Sequence, residues 1–229
     1  MRPLVTRRRL LTSVGVGGPA LLLSGCDWLG ANPSFRDVVL GSGEWLSYRV
    51  QRLIGSQALA REYDPSEMSP EFRTNGNTMP RSETYLLHAE GAFADWRLQV
   101  DGLVDAPRSY ALAELRAMPA RTQITRHDCV EGWSAIGQWT GVPLAILLEQ
   151  VRLRPEARFI VFYCADDFSG AAYYESIDLV DAFHPQTILA YGMNDADLPI
   201  GHGAPLRLRV ERQLGYKHAK FMMRVEAVG

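Results

Sequence analysis

From Tyr85 onward the chain is broken into short apolar runs separated by turn signals, without the regular strand–helix–strand rhythm of a doubly wound parallel sheet. Strand-like runs are read at Tyr85–His88, Arg97–Val100, Gln123–Arg126, Arg158–Tyr163, Tyr173–Ile177, Ile188–Tyr191, Ala204–Val210 and Phe221–Val228. Short helices are read at Leu112–Met118, which Pro119 stops, and at Pro143–Val151, which is apolar at helical spacing. Such scattered short elements predict an α+β fold with mixed or antiparallel sheets.

Upstream, Ser47–Glu62 has the pattern of an amphipathic helix ending near Tyr63-Asp64-Pro65, and Asn75-Gly76-Asn77 marks a turn in a polar stretch. The expected organisation is a leader over 1–25, an anchor or linker over 26–70, and one catalytic domain over 71–229. With 229 residues, 47% of them hydrophobic, the chain can bury a normal core. A net charge of −2 lacks the basic excess that nucleic-acid binding requires. Three cysteines, Cys26, Cys129 and Cys164, are too few for a disulfide scaffold. No C-x-x-C occurs, so a zinc ribbon or an attached c-type haem is unsupported.

The leader has its own logic. Arg7-Arg8-Arg9 precedes a glycine-rich apolar run from Leu10 to Leu23 that is too short to span a bilayer, and no acidic residue occurs before Asp27. Paired arginines ahead of a weakly hydrophobic run resemble a twin-arginine export signal. Leu23-Ser24-Gly25-Cys26 resembles a bacterial lipobox, in which the cysteine is acylated, and Asp27 resembles an inner-membrane retention signal. The expected location is the periplasmic or cell-surface side, anchored to the cytoplasmic membrane through lipidated Cys26. An N-terminal anchor helix with an incidental cysteine is the plainer alternative.

The segment richest in chemistry is Arg126-His127-Asp128-Cys129-Val130-Glu131-Gly132-Trp133-Ser134, which leaves a strand and opens a loop. A thiolate is a soft metal ligand, and nearby Arg126 and His127 favour its negative charge. A lone cysteine is more often a small buried hydrophobe.

Cys129-Val130-Glu131-Gly132-Trp133-Ser134, followed by Trp139-Thr140-Gly141-Val142-Pro143-Leu144, resembles the molybdenum-cysteine segment of the sulfite oxidase superfamily of molybdopterin-binding oxidoreductases, nearest its bacterial periplasmic protein-methionine-sulfoxide reductase branch. His202-Gly203-Ala204-Pro205-Leu206-Arg207, with Gly215-Tyr216-Lys217-His218-Ala219-Lys220, resembles the pterin-phosphate segment of the same superfamily, in the expected order. The likeness covers about Arg81 to Val228.

The resemblance implies a molybdenum-molybdopterin cofactor with Cys129 as the metal's one protein ligand. It implies cofactor contacts from Asn75, Thr78 and Met79, from Cys164 where the branch has threonine, from His202 where it has asparagine, and from Arg207, His218, Ala219 and Lys220. A phosphate needs fixed donors, and Arg207, Lys217, Lys220 and the Gly215 turn are of the right kind. For Arg209, Arg212 and Arg224 a solvated strand face is expected instead. Glu131 would share a side with Cys129 if 129–131 are extended, where a carboxylate can relay protons; a loop-capping glutamate is the plainer reading. His127 reads as a supporting donor or a structural histidine, Trp133 and Trp139 as packing residues. A Cys129–Cys164 disulfide in a cofactor-free form stays open.

The early loop, Arg73-Thr74-Asn75-Gly76-Asn77, departs from both the arginine-asparagine-histidine pattern of sulfite oxidases and the tyrosine-glutamate pair of the sulfoxide reductases. The expected activity is oxygen-atom transfer, as sulfoxide reduction on a small or protein-bound substrate, with electrons from a separate membrane or periplasmic carrier. The alternatives are sulfite-type oxidation of an oxyanion, a metal-free lipoprotein that binds partners on the same fold, and an assembly partner of a larger complex.

Overall fold

A computed structural model describes residues 32–33, 41–55, 58–168 and 170–229. The leader, the lipobox and Cys26 lie outside the described residues. The chain divides into two units, 1–56 and 57–229.

In the first unit a helix, α1, spans Gly41–Gly55. It begins six residues before the expected Ser47 and does not reach Glu62. Downstream, Ala60 N–H donates to the Gln186 side chain and Glu62 bridges Thr125, so this backbone is extended against a strand instead of coiled. Among the described residues no helix is long and apolar enough to cross a membrane.

The second unit is α+β, as its sequence pattern predicts. One sheet runs in the order β2-β1-β10-β5-β6, from β1 (Arg97–Gly102), β2 (Arg108–Ala111), β5 (Phe159–Phe168), β6 (Ala171–Asp178) and β10 (Met222–Val228). Its pairs are antiparallel except β1 with β10, where the chain's last strand lies parallel to its first. The other sheet orders β3 (Arg121–Asp128), β4 (Ser134–Pro143), β7 (Thr187–Met193) and β8 (Ala196–Asp197), with β9 (Arg207–Val210) also paired to β7, all antiparallel. The main core gathers Trp96, Leu98, Phe162 and Val225 with the buried face of α4 (Leu144–Val151). A second, smaller core of Trp139, Ile188, Ala190, Met193 and Leu198 lies on the second sheet.

One expected strand is a helix. Tyr85–His88 falls inside α2 (Glu83–Glu90), because the Ser82 hydroxyl caps its first turn by accepting from Tyr85 N–H and Gly91 closes its end. Only Tyr85 is buried there; its hydroxyl donates to the Ala204 carbonyl at 2.7 Å. The helix expected from Leu112 is α3 (Leu112–Arg116), with Glu114 accepting from Ala111 N–H at its start. A further short helix, α5 (Leu179–Ala182), is capped by Asp178.

β3 departs from the usual half-buried strand. Its buried positions are Gln123, Thr125 and His127. A polar inward face requires polar partners, and β9 supplies them.

Candidate cofactor cleft

β3 ends at Asp128, and the next residues form a tight turn in which Gly132 N–H returns to the Cys129 carbonyl at 3.0 Å and Cys129 N–H to the Trp133 carbonyl at 2.9 Å. Gly132 takes φ +86°, a left-handed conformation that glycine adopts without a Cβ penalty. Residues 129–131 are therefore not extended, contrary to the condition set for Glu131. The turn nevertheless brings both Cys129 and Glu131 to the wall of one cleft of about 280 Å³. Glu131 is exposed at its edge, and its carboxylate accepts from Trp133 Nε1 at 2.9 Å. Cys129 is buried to 8% exposure, and it and Cys164 are free thiols, so no disulfide joins them.

Of the other residues expected at the cofactor, Asn75, His218 and Lys220 line this cleft. Lys220 directs its ammonium to the carbonyls of Asn75 at 2.7 Å, Gly201 at 3.2 Å and Asn77. Burial, and next the Arg207 charge, pull its pKa down to about 8. Met79 borders a neighbouring hollow, and Thr78 is exposed. Ala219 is buried, and its carbonyl accepts from Leu208 N–H. Cys164 is half-buried on β5, its thiol pushed well up by burial. Lys217 does not face the cleft: it forms an ion pair with Glu175 at 2.8 Å and donates to the Ser176 carbonyl at 3.0 Å. Sequence reasoning missed Asn77, Asp166 and Tyr173 on the cleft wall. Asn77 ties the early loop to β5 through the Asp166 carboxylate and the Asp167 carbonyl, a long-range pairing that no local pattern signals.

Arg207 and Arg209 are both fully buried on β9. The expectation of a solvated Arg209 is overturned: it makes a two-pronged pair with Glu211 at 3.0 and 2.7 Å, covers the Trp139 ring at 4.3 Å and donates to His127 Nδ1. Arg212 is mostly buried beside Asp181, whereas Arg224 is a partly exposed residue paired with Asp101 and Glu226, as a strand-surface arginine should be.

Arg207 is different in kind. It donates to the His202 carbonyl at 3.1 Å and stacks over Trp139 at 5.1 Å, yet its Nε and Nη2 have no partner among the described residues and no carboxylate pairs with it. Burial, and next the Arg209 charge, lower its pKa to about 9; Glu211 and the Cys129 sulfur partly offset this. The same positive field and burial hold His202 down to about 4 and His127 to about 2, with burial the larger cause in both.

A buried guanidinium with two idle donors fits an anionic, oxygen-rich group. Among the described residues no three His, Cys, Asp or Glu side chains converge as a metal site would require. A thiol on the cleft wall, as Cys129 is, suits a metal that brings its other ligands with it, as a dithiolene does. The sequence profile described as the oxidoreductase molybdopterin-binding domain matches residues 87–229.

The chain belongs to this family.

Its cofactor is molybdenum-molybdopterin, and the residues above fit that group. The putative protein-methionine-sulfoxide reductase subunit YedZ1 of Azospira oryzae is 40% identical over 164 residues, 70% of this chain and 61% of that one. The protein-methionine-sulfoxide reductase catalytic subunit MsrP of Xanthomonas campestris pv. campestris is 31% identical over 235 residues, 97% of this chain and 70% of that one. These relatives bear out the superfamily and branch read from the two motifs. The crystal structure of the sulfane dehydrogenase SoxCD from Paracoccus pantotrophus shares the fold with a TM-score of 0.57 at 22% identity, over 76% of this chain and 45% of that one.

Proposed function

We propose that this chain is a molybdenum-dependent oxidoreductase that transfers an oxygen atom, working as a sulfoxide reductase. The observation that carries the reading is the meeting of Cys129, Asn75 and Lys220 on one cleft, together with a buried Arg207 whose Nε and Nη2 have no partner among the described residues. Relatives named as methionine-sulfoxide reductase subunits support the direction of turnover.

When bound, molybdenum-molybdopterin supplies the two-electron couple for oxygen-atom transfer. Cys129 Sγ is the protein's ligand to the metal. Arg207 Nε and Nη2 and His202 Nδ1, buried with no partner among the described residues, would be the donors to the pterin or its phosphate, and Lys220 adds positive charge on the cleft wall. Glu131 stands at the open edge, oriented by Trp133 Nε1, where its carboxylate can hold a proton and pass it to a substrate oxygen. Cys164, Thr78, Met79, His218 and Ala219 complete the proposed surroundings. Electrons come from a separate membrane or periplasmic carrier. The leader supports twin-arginine export and a lipid anchor at Cys26, which keep the enzyme beside that carrier.

The test is metal analysis of the full chain, leader included, expressed in a host that makes the cofactor, beside Cys129→Ala. Near-stoichiometric molybdenum in the parent is expected, with the thiolate-to-metal absorption lost in the variant. Turnover of methionine sulfoxide with an artificial electron donor is expected, and none of sulfite with an artificial electron acceptor. Sulfite oxidation instead would reverse the direction, and a parent without molybdenum would leave a binding module.

A further inference from the structure

Phe72 stands three residues ahead of Asn75, in a stretch held to the sheets by the Ser69 N–H bond to the Ile136 carbonyl. At the far end of the loop, Lys220 and the Asn77 amide fasten residues 75–77. At the near end the Phe72 ring does the fastening. It meets Trp139 at 5.3 Å and 84°, His202 at 5.6 Å and 81°, His127 at 5.7 Å, and Trp133 at 6.3 Å and 89°.

These four rings come from four separate segments. His127 precedes Cys129 by two residues on β3, and Trp133 follows the turn that bears it. Trp139 on β4 carries the Arg207 and Arg209 guanidinium groups. His202 ends a 3-10 turn at Ile200–His202 and offers its carbonyl to Arg207. Edge-to-face contacts are directional, so a ring held by several of them has little freedom to slide. The space for the ring is provided by Gly137 of β4: a Cβ there would stand 2.9 Å from Phe72 Cδ2.

We infer that Phe72 is a positioning residue for the cofactor cleft, its ring locking the 73–79 loop onto the Cys129 turn and the His202 segment and so fixing the width between them. This rests on the cofactor reading above. Phe72 acts through Asn75 and Cys129 without touching the cofactor.

The experiment uses the full chain, loaded and cofactor-free, as Phe72→Leu, Phe72→Tyr, Gly137→Ala and the Phe72→Leu/Gly137→Ala double variant. Three readouts are followed: release of pterin, detected by the fluorescence of its oxidised form; the position of the thiolate-to-metal absorption; and trypsin cleavage after exposed Arg73 in the cofactor-free protein. Phe72→Leu and Gly137→Ala should each release pterin at least about tenfold faster, shift the absorption and speed cleavage at Arg73. Phe72→Tyr should restore parental behaviour. The double variant should be no worse than the worse single, because both changes disturb one lock. Parental release and cleavage in a folded Phe72→Leu protein would overturn the inference, as would strictly additive effects. A parent that binds no molybdopterin would instead defeat the cofactor reading, and the Arg73 cleavage would still decide the role of Phe72 in holding the loop.

Discussion

Arg209 donates a guanidinium N–H to His127 Nδ1 across 3.1 Å, with both side chains buried to 1% exposure or less. Arginine has no acceptor to offer, so Nδ1 carries the lone pair and the imidazole proton sits on Nε2. One contact thereby fixes the orientation and tautomer of the last inward-facing residue before Cys129. Glu211 neutralises the arginine and is held in turn by Gln123 at 2.8 Å.

Removing one member of this buried set should be costly, and removing the pair much less so. Arg209→Met leaves Glu211 charged and nearly unpaired, for an expected loss of about 3–5 kcal/mol in urea unfolding. Arg209→Met with Glu211→Gln should recover most of that loss.

Arg207 should behave in the opposite way. It is buried without a carboxylate, so a side chain of similar length without charge relieves a desolvation cost. Arg207→Met should leave the cofactor-free protein within about 1 kcal/mol of the parent or more stable. The pterin recovered with the purified variant should fall at least about tenfold. Unfolding curves and pterin content together check the two halves.

Gly215 offers a steric test of the same region. A Cβ there would lie 2.5 Å from His127 Nε2, and the imidazole is held by Arg209 and cannot swing away. Gly215→Ala should cost about 1–3 kcal/mol by overpacking and lower cofactor retention. Alanine at the open Gly132 position would meet no neighbour within 4 Å, but its φ of +86° makes that change strained as well, through the backbone.

Stability should fall in acid, in a defined window. In the folded, cofactor-free chain His202 and His127 are depressed to about 4 and about 2, and His218 lies well below its usual value, burial being the first cause in each. The unfolded chain takes up these protons near pH 6.5 and the folded chain does not. The contribution of these histidines is therefore full above about 6.5 and declines as pH drops, by about 1.4 kcal/mol per pH unit for each proton. His202→Asn should reduce the slope between about pH 6.5 and 4 by up to about one proton. Urea midpoints at a series of pH values measure this directly.

Glu131 is exposed and tied only to Trp133, so its removal should spare the fold. Glu131→Gln should keep its molybdenum while kcat for methionine sulfoxide falls about 10²–10⁴-fold. Unchanged kcat with full metal content would assign Glu131 to loop capping alone.

The motif residues were legible because their chemistry is concentrated in short stretches: Cys129 after its strand, and His218 with Lys220 in the closing segment. Other placements depend on partners far along the chain. Arg209 reads as a solvated strand residue until Glu211, Trp139 and His127 are brought around it. Lys217 reads as a phosphate ligand until β6 supplies Glu175. Phe72 sits in a polar stretch with no periodicity, and its four ring partners are spread from 127 to 202. Tyr85–His88 reads as a strand because its apolar cluster outweighs the Ser82 cap and the Gly91 stop, which are equally visible.

Lys220 has a final consequence. Three carbonyl oxygens surround its single positive charge, and three is the number of protons an ammonium can donate. The arrangement is that of a captive monovalent ion, leashed to the backbone just ahead of β10. Many loops are gathered by a dissolved ion whose occupancy follows the medium. Here the ion cannot diffuse away, so the gathering of Asn75, Asn77 and Gly201 is independent of sodium or potassium, and no chelator or dialysis can undo it.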